Sequence, residues 1–160
     1  MRETDIPRPV VTVATIAVRD GRFLLVEEET RAGLRLNQPA GHLEAGESLA
    51  DAAVRETLEE TGFRVRPTAL VGIYRWQAPE SDATFVRFAF VADVVGHEPE
   101  RPLDRGIVRA LWLSHAEIAA QPAWHRSPLV LRCIDDFAAG HRLPLAAIVE
   151  MSAMSLSRVE

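Results

Sequence analysis

Lysine is absent from this 160-residue chain, so its 18 basic side chains are all arginine. Coding bias accounts for that as readily as chemistry does, and nothing functional rests on it. Cysteine is nearly absent too. Cys133 alone cannot close an intramolecular disulfide, which fits a reducing cytoplasm. Its place in the apolar run LVLRCIDDF marks a small buried side chain rather than a reactive thiol. No apolar run approaches the roughly 20 residues needed to cross a bilayer, so no membrane partner is expected. The opening MRETDIPRPV carries acids and prolines where a signal peptide needs a basic end and an apolar stretch. Positive charge is not in excess: the net charge of -5 and the pI near 5.6 argue against a general nucleic-acid binder, though not against a local basic pocket. His97, His115, His125 and His141 lack metal-ligand spacing, which argues against zinc. Repeats, low-complexity tracts and linkers are also missing. A chain with 48% hydrophobic and 26% charged residues suits one domain spanning 1–160, with a core of about 9–148 and a weakly signalled tail over 149–160.

What stands out is the stretch from Gly41 to Phe63, GHLEAGESLADAAVRETLEETGF. A glycine-rich turn leads to Ser48, a good N-cap, with Asp51 three residues on and Gly62 as the C-terminal stop, so the spacing predicts a helix between them. Glu56, Glu59 and Glu60 stand at i, i+3 and i+4, within one arc of that helix. They repel one another, and they sit in the last turns, where the helix dipole already disfavours negative charge. Only Arg55 supplies a nearby cation. Three glutamates at this spacing are by themselves a common solvated face, but a cluster set against local preference also marks function, and an external cation would resolve the conflict.

The full pattern is more specific than the three acids. It runs Gly41, five residues, Glu47, seven residues, Arg55-Glu56, two residues, Glu59-Glu60, one residue, Gly62 and the apolar Phe63. This resembles the Nudix box, the signature of hydrolases acting on diphosphates linked to another group. Thr57 departs from it, because an aliphatic residue is usual after the Arg-Glu pair. The resemblance implies a Nudix-type α/β/α sandwich with a mixed β-sheet between helices. It also implies Mg²⁺ as cofactor, with Mn²⁺ as a substitute, held by Glu56, Glu60 and the backbone carbonyl of Ala40. Glu59 would hold a second ion or a bound water, and Arg55 would orient Glu47 or Glu56 by a charge-assisted bond. The base that activates water would be Glu56 or a carboxylate from a later loop, for which Asp104 is the candidate; a solvated loop acid is the plainer reading of that residue.

Around the box, Val10–Val18 reads as a central strand, Asp20-Gly21 as a tight turn, and Arg22–Val26 as the second strand of a hairpin. Glu27–Gly33 reads as a polar loop and Leu34–Pro39 as a short lead into the box. Phe63–Trp76 and Phe85–Val95 read as strands joined by APESDAT, and HEPERPLD (97–104) as an acidic connection. Val108–Leu113 is a further strand. Ser114 with Glu117 caps a short helix, and Ser127-Pro128 opens a longer one ended by Gly140.

Asn37 and Gln38, immediately before the box, are candidates for substrate contact. Arg87, in an otherwise apolar strand, and Arg126 are candidates for gripping phosphate, and Trp76 or Tyr74 for stacking on a flat ring. NQPAGH (37–42), Tyr74-Arg75-Trp76, FVRF (85–88), RSPL (126–129) and HRLPL (141–145) together resemble the NudJ-type phosphatase branch, with Leu36 where that branch tends to carry tryptophan. That likeness implies removal of a terminal phosphate from thiamine diphosphate, from hydroxymethylpyrimidine diphosphate and from nucleotides. The partner would be a small phosphorylated molecule, and the protein a monomer or homodimer. Two alternatives remain at this stage: a pyrophosphatase of nucleotide sugars or dinucleotides, and a Nudix domain that senses ligands without turnover. The intact box glutamates weigh against the second.

Overall fold

β-Branched residues dominate Val10–Ile16, and such side chains suit an extended backbone packed on both faces. The computed structural model describes residue 6 and residues 8–79 and 81–151, and it places strand β1 (Val10–Ile16) inside a four-stranded sheet. On one edge β1 pairs in parallel with β7 (Thr84–His97), and on the other antiparallel with β5 (Ala40–His42). Strand β6 (Phe63–Gln77) completes this mixed sheet antiparallel to β7, giving the order β5-β1-β7-β6. A second sheet is antiparallel throughout. Its β3 (Arg22–Thr30) carries β8 (Ile107–Ser114) along one edge and both β2 (Val18–Arg19) and β4 (Gly33–Asn37) along the other.

Successive side chains of a strand point to opposite faces, and here each face meets a helix. Val13, Leu70 and Phe90 pack with Leu49, Ala52 and Ala53 of helix α1 (Leu49–Thr61). Ile16, Val71 and Ala89 pack on the opposite face with Val130, Cys133 and Ile134 of α3 (Leu129–Ala138) and Ile118 of α2 (His115–Ala119). Neighbours in sequence, such as Leu70 and Val71, thus serve opposite layers, and the result is the expected α/β/α sandwich. Each fully buried Val, Leu, Ile or Phe side chain among them contributes about 1.5–3 kcal/mol.

Local detail departs from the sequence reading in three places. Asp20 and Gly21 do form a turn with positive φ at both residues (51° and 72°), as a two-residue hairpin turn requires. The hairpin, however, joins only β2 to β3, while β1 leaves for the other sheet. The expected polar loop over Glu27–Gly33 is instead the end of β3 and a tight turn into β4. Its acids look loop-like in sequence but find arginines in space, Glu27 pairing with Arg109 at 3.1 Å and Glu28 with Arg126 at 3.4 Å. The weakly signalled tail over 149–160 is anchored at its start, where Glu150 accepts a 2.8 Å bond from the Leu49 amide and so caps α1; residues 152–160 lie outside the described residues. Thr57, the departure from the usual box, is fully buried, with its hydroxyl 2.7 Å from the Ala53 carbonyl and 2.8 Å from Thr15 Oγ1. A threonine on the facing strand therefore satisfies it.

Candidate active site

Helix α1 is fixed at both ends. Ser48 Oγ accepts from the Asp51 amide, and Gly62, in the left-handed region at φ 72°, donates its N–H to the Leu58 carbonyl. The inward face of the helix begins apolar, with Leu49, Ala52 and Ala53. It ends with Glu56, Thr57 and Glu60. Carboxylates thus turn toward the protein near the C-terminal end, and the last turn itself contains no basic residue.

Arg55 holds this group together. Its guanidinium meets Glu47 through two bonds of 3.0 and 2.8 Å, Glu56 at 3.0 Å, Glu59 at 3.1 Å and the His42 carbonyl at 3.0 Å. The bonds from Arg55 hold Glu47 below its ordinary carboxylate range. Glu56 is pushed the other way: burial raises it, Glu59 and Asp104 add to the rise, and Arg55 only partly offsets them. The Glu56 carboxylate lies directly over Gly41, where a Cβ would coincide with it. Gly41→Ala should therefore displace Glu56 and lower kcat by about 100-fold with the fold retained. Steady-state kinetics together with circular dichroism check this, and a folded variant within threefold of wild type contradicts it.

Asp104 joins the cluster from far along the chain. Its backbone N–H donates to the Glu59 carbonyl at 3.0 Å, and the Glu98 N–H to that of Gly62 at 2.8 Å, so carbonyls at the end of α1 dock the acidic connection. Glu56, Glu59 and Asp104 each offer a carboxylate oxygen within 4.8 Å of the others. Glu60, one helical turn after Glu56, is buried and accepts the Ala40 N–H at 2.9 Å. Burial is the main cause that pushes its carboxyl up to about 8, the Ala40 bond lowers it, and Glu56, Glu28 and Asp104 raise it further. Ala40 itself lies opposite Ala14 in the β5–β1 pairing.

The candidates for substrate contact divide. Asn37, Gln38 and Arg87 form one buried knot, in which Arg87 donates to Gln38 Oε1 at 3.1 Å and to Asn37 Oδ1 at 3.4 Å. Gln38 is fully buried and spends its Nε2 on the Val130 carbonyl, so it supports Arg87 and presents no surface to a ligand. Arg126 lies half-exposed against Glu28. The Tyr74 hydroxyl is tied to Asp136 on α3 at 2.9 Å, and Trp76 stacks on Phe85 with centroids 5.9 Å apart. Glu28 is the residue the sequence reading passed over. Its carboxyl, raised chiefly by burial, meets Asn37 Nδ2 at 3.4 Å. The signal for it was alternation: in β3 the strand pattern continues past Val26, which places Glu28 on the side of Asn37 and Arg126.

The donor set suits a divalent cation: hard carboxylate oxygens, more negative charge than Arg55 can neutralise, and a glycine that leaves room for Glu56. The family model for the NUDIX domain matches residues 7–132. This chain belongs to the Nudix family. Over 141 residues it is 41% identical to Phosphatase NudJ of Escherichia coli (strain K12), covering 88% of this chain and 91% of that protein. The solved structure of a NUDIX hydrolase from Nitrosomonas europaea is 50% identical, with a TM-score of 0.88 over 90% of this chain and 98% of that one. A UDP-X diphosphatase structure at 17% identity and a TM-score of 0.69, covering 89% of this chain and 70% of that one, shares the Nudix fold. The protein is thus a Nudix hydrolase, and of its box residues Glu47, Glu56 and Glu59 are joined through the Arg55 guanidinium, with Glu60 in the same last turns of α1 as Glu59.

Proposed function

We propose that this Nudix hydrolase is a Mg²⁺-dependent phosphohydrolase that releases inorganic phosphate from small diphosphates and triphosphates. Thiamine diphosphate, hydroxymethylpyrimidine diphosphate and nucleoside di- and triphosphates are the substrates we assign to it. The observation that carries this reading is the trio Glu56, Glu59 and Asp104, three carboxylates within 4.8 Å, of which only Glu56 and Glu59 meet the Arg55 guanidinium, itself already divided with Glu47. The 41% identity to a protein named Phosphatase NudJ supports release of phosphate over cleavage within a dinucleotide.

Glu56, Glu59 and Glu60 would hold the cation, with the Ala40 carbonyl beside them. When bound, Mg²⁺ supplies positive charge against the phosphate oxygens as the anhydride P–O bond breaks. Arg55 keeps Glu47, Glu56 and Glu59 in fixed positions, so the carboxylates need not rearrange when substrate arrives. The water that attacks phosphorus must lose a proton. Glu56 has one oxygen committed to Arg55, whereas the Asp104 carboxylate carries no hydrogen bond among the described residues, so its free lone pairs make it the proton acceptor in this scheme.

Purified protein incubated with thiamine diphosphate or a nucleoside triphosphate should release orthophosphate with Mg²⁺ or Mn²⁺ and release none in EDTA. Products containing a nucleoside monophosphate and a second phosphorylated fragment, without orthophosphate, would replace this reading with a pyrophosphatase.

A further inference from the structure

Glu28 takes no part in the scheme above, yet the protein builds a frame around it. The frame begins at Arg87, whose guanidinium is buried and whose Nε meets no acceptor among the described residues. A guanidinium has only donors. The amides of Gln38 and Asn37 must therefore turn their oxygens toward it, which directs their NH₂ groups the other way. Gln38 Nε2 goes to the Val130 carbonyl at 2.7 Å, and Asn37 Nδ2 goes to Glu28 Oε1 at 3.4 Å. A buried charge compensated by carbonyl dipoles cannot release them cheaply, so the Asn37 orientation is imposed from inside the core.

The same Glu28 oxygen is approached by Arg126 Nε at 3.4 Å, and the Arg126 backbone is tied to strand β4 by a 2.8 Å bond to the Leu36 carbonyl. Oε1 is thus the held atom. Oε2 accepts from no donor among the described residues, and the side chain keeps 21% of its surface open to solvent beside the half-exposed Arg126. An ionised carboxylate oxygen only accepts, while the Arg126 nitrogens only donate. Together they present an acceptor next to a donor, and Asn37, which bonds Glu28, lies on the segment whose Ala40 N–H bonds Glu60 at 2.9 Å, so the pair borders the acid cluster.

We propose that Glu28 is a specificity-determining residue that reads the non-phosphate part of the substrate. Oε2 accepts from an exocyclic amino group on a nitrogen heterocycle, while Arg126 donates to the adjacent ring nitrogen. An adenine or cytosine edge offers that order of donor and acceptor. A ring carbonyl at the same place, as in hypoxanthine or uracil, sets lone pairs against the carboxylate. The inference rests on the hydrolytic reading of the site.

The test compares kcat/KM for ATP against ITP and for CTP against UTP with Mg²⁺. Wild type should favour the amino-bearing member of each pair by about tenfold, the effect of one unsatisfied polar contact in a partly open site. In E28Q, Asn37 and Arg126 still demand an oxygen, so the new NH₂ faces the ligand and the preference should vanish or invert. Equal values in wild type, or an E28Q ratio equal to the wild-type ratio, overturn the assignment. A ratio divides out any general loss of turnover. If none of the four nucleotides is hydrolysed, calorimetry with AMP and IMP still decides on Glu28, and the hydrolytic reading fails separately only if thiamine diphosphate and hydroxymethylpyrimidine diphosphate are left intact as well. AMP binding about tenfold tighter supports it, and equal affinity or binding of neither overturns it.

Discussion

Glu56→Gln is expected to lower kcat by about 10²–10⁴-fold while the protein remains folded. Glutamine keeps the volume that lies over Gly41 and an oxygen for Arg55, so the packing of α1 on β5 is retained. What it removes is negative charge from a cluster whose proposed purpose is to hold a cation. The charge lost is also one that burial and its neighbours disfavour, so the metal-free variant should unfold at a temperature no lower than wild type. Phosphate-release kinetics and a thermal melt read the two effects separately. Turnover within tenfold of wild type in a folded Glu56→Gln protein contradicts the assignment of Glu56 to the cation site. Glu60→Gln should behave alike, because the amide oxygen still accepts the Ala40 N–H while the charge is gone.

The second large effect is on stability against pH in the absence of metal. Glu60 is pushed up to about 8 from an ordinary value of 4.5, so between those values the folded protein keeps a proton that the unfolded chain has released. Stability from this group is complete below about 4.5 and is lost as pH rises through about 8, at up to about 1.4 kcal/mol per unit. Glu56 and Glu28 are raised as well and act with the same sign. The carboxyls held low, such as Glu47, act only at more acid pH. In EDTA, the melting temperature at pH 7.5 should therefore lie several degrees below that at pH 5.5, about 2–4 °C for each kcal/mol. Saturating Mg²⁺, which favours the deprotonated acids, should recover more at pH 7.5 than at pH 5.5. A melting temperature that is flat across this range in EDTA, or a slope unchanged in Glu60→Gln, removes the buried-carboxyl explanation.

The separate costs borne by Glu56 and Glu60 share one cause. Side chains that suit a solvent-facing helix are turned inward, onto Gly41 and onto the Ala40 amide. No helix among the described residues is long and apolar enough to span a bilayer.

The sequence by itself determined what depends on neighbours a few residues apart. Caps at Ser48 and Gly62, the i, i+3, i+4 acids and the Asp20-Gly21 turn are local, and each stands in the structure where its spacing required. Tertiary structure decided what depends on partners far along the chain. Glu27 and Glu28 read as loop residues because the arginines that neutralise them, Arg109 and Arg126, are distant in sequence. Asp104 reads as a solvated acid until carbonyls at the end of α1 dock its loop against Glu59. Arg87 reads as a phosphate grip until burial shows it holding two amides instead. Electrostatic partnership is a matter of distance in space, and a one-dimensional pattern reports that distance only within a helix or across a tight turn.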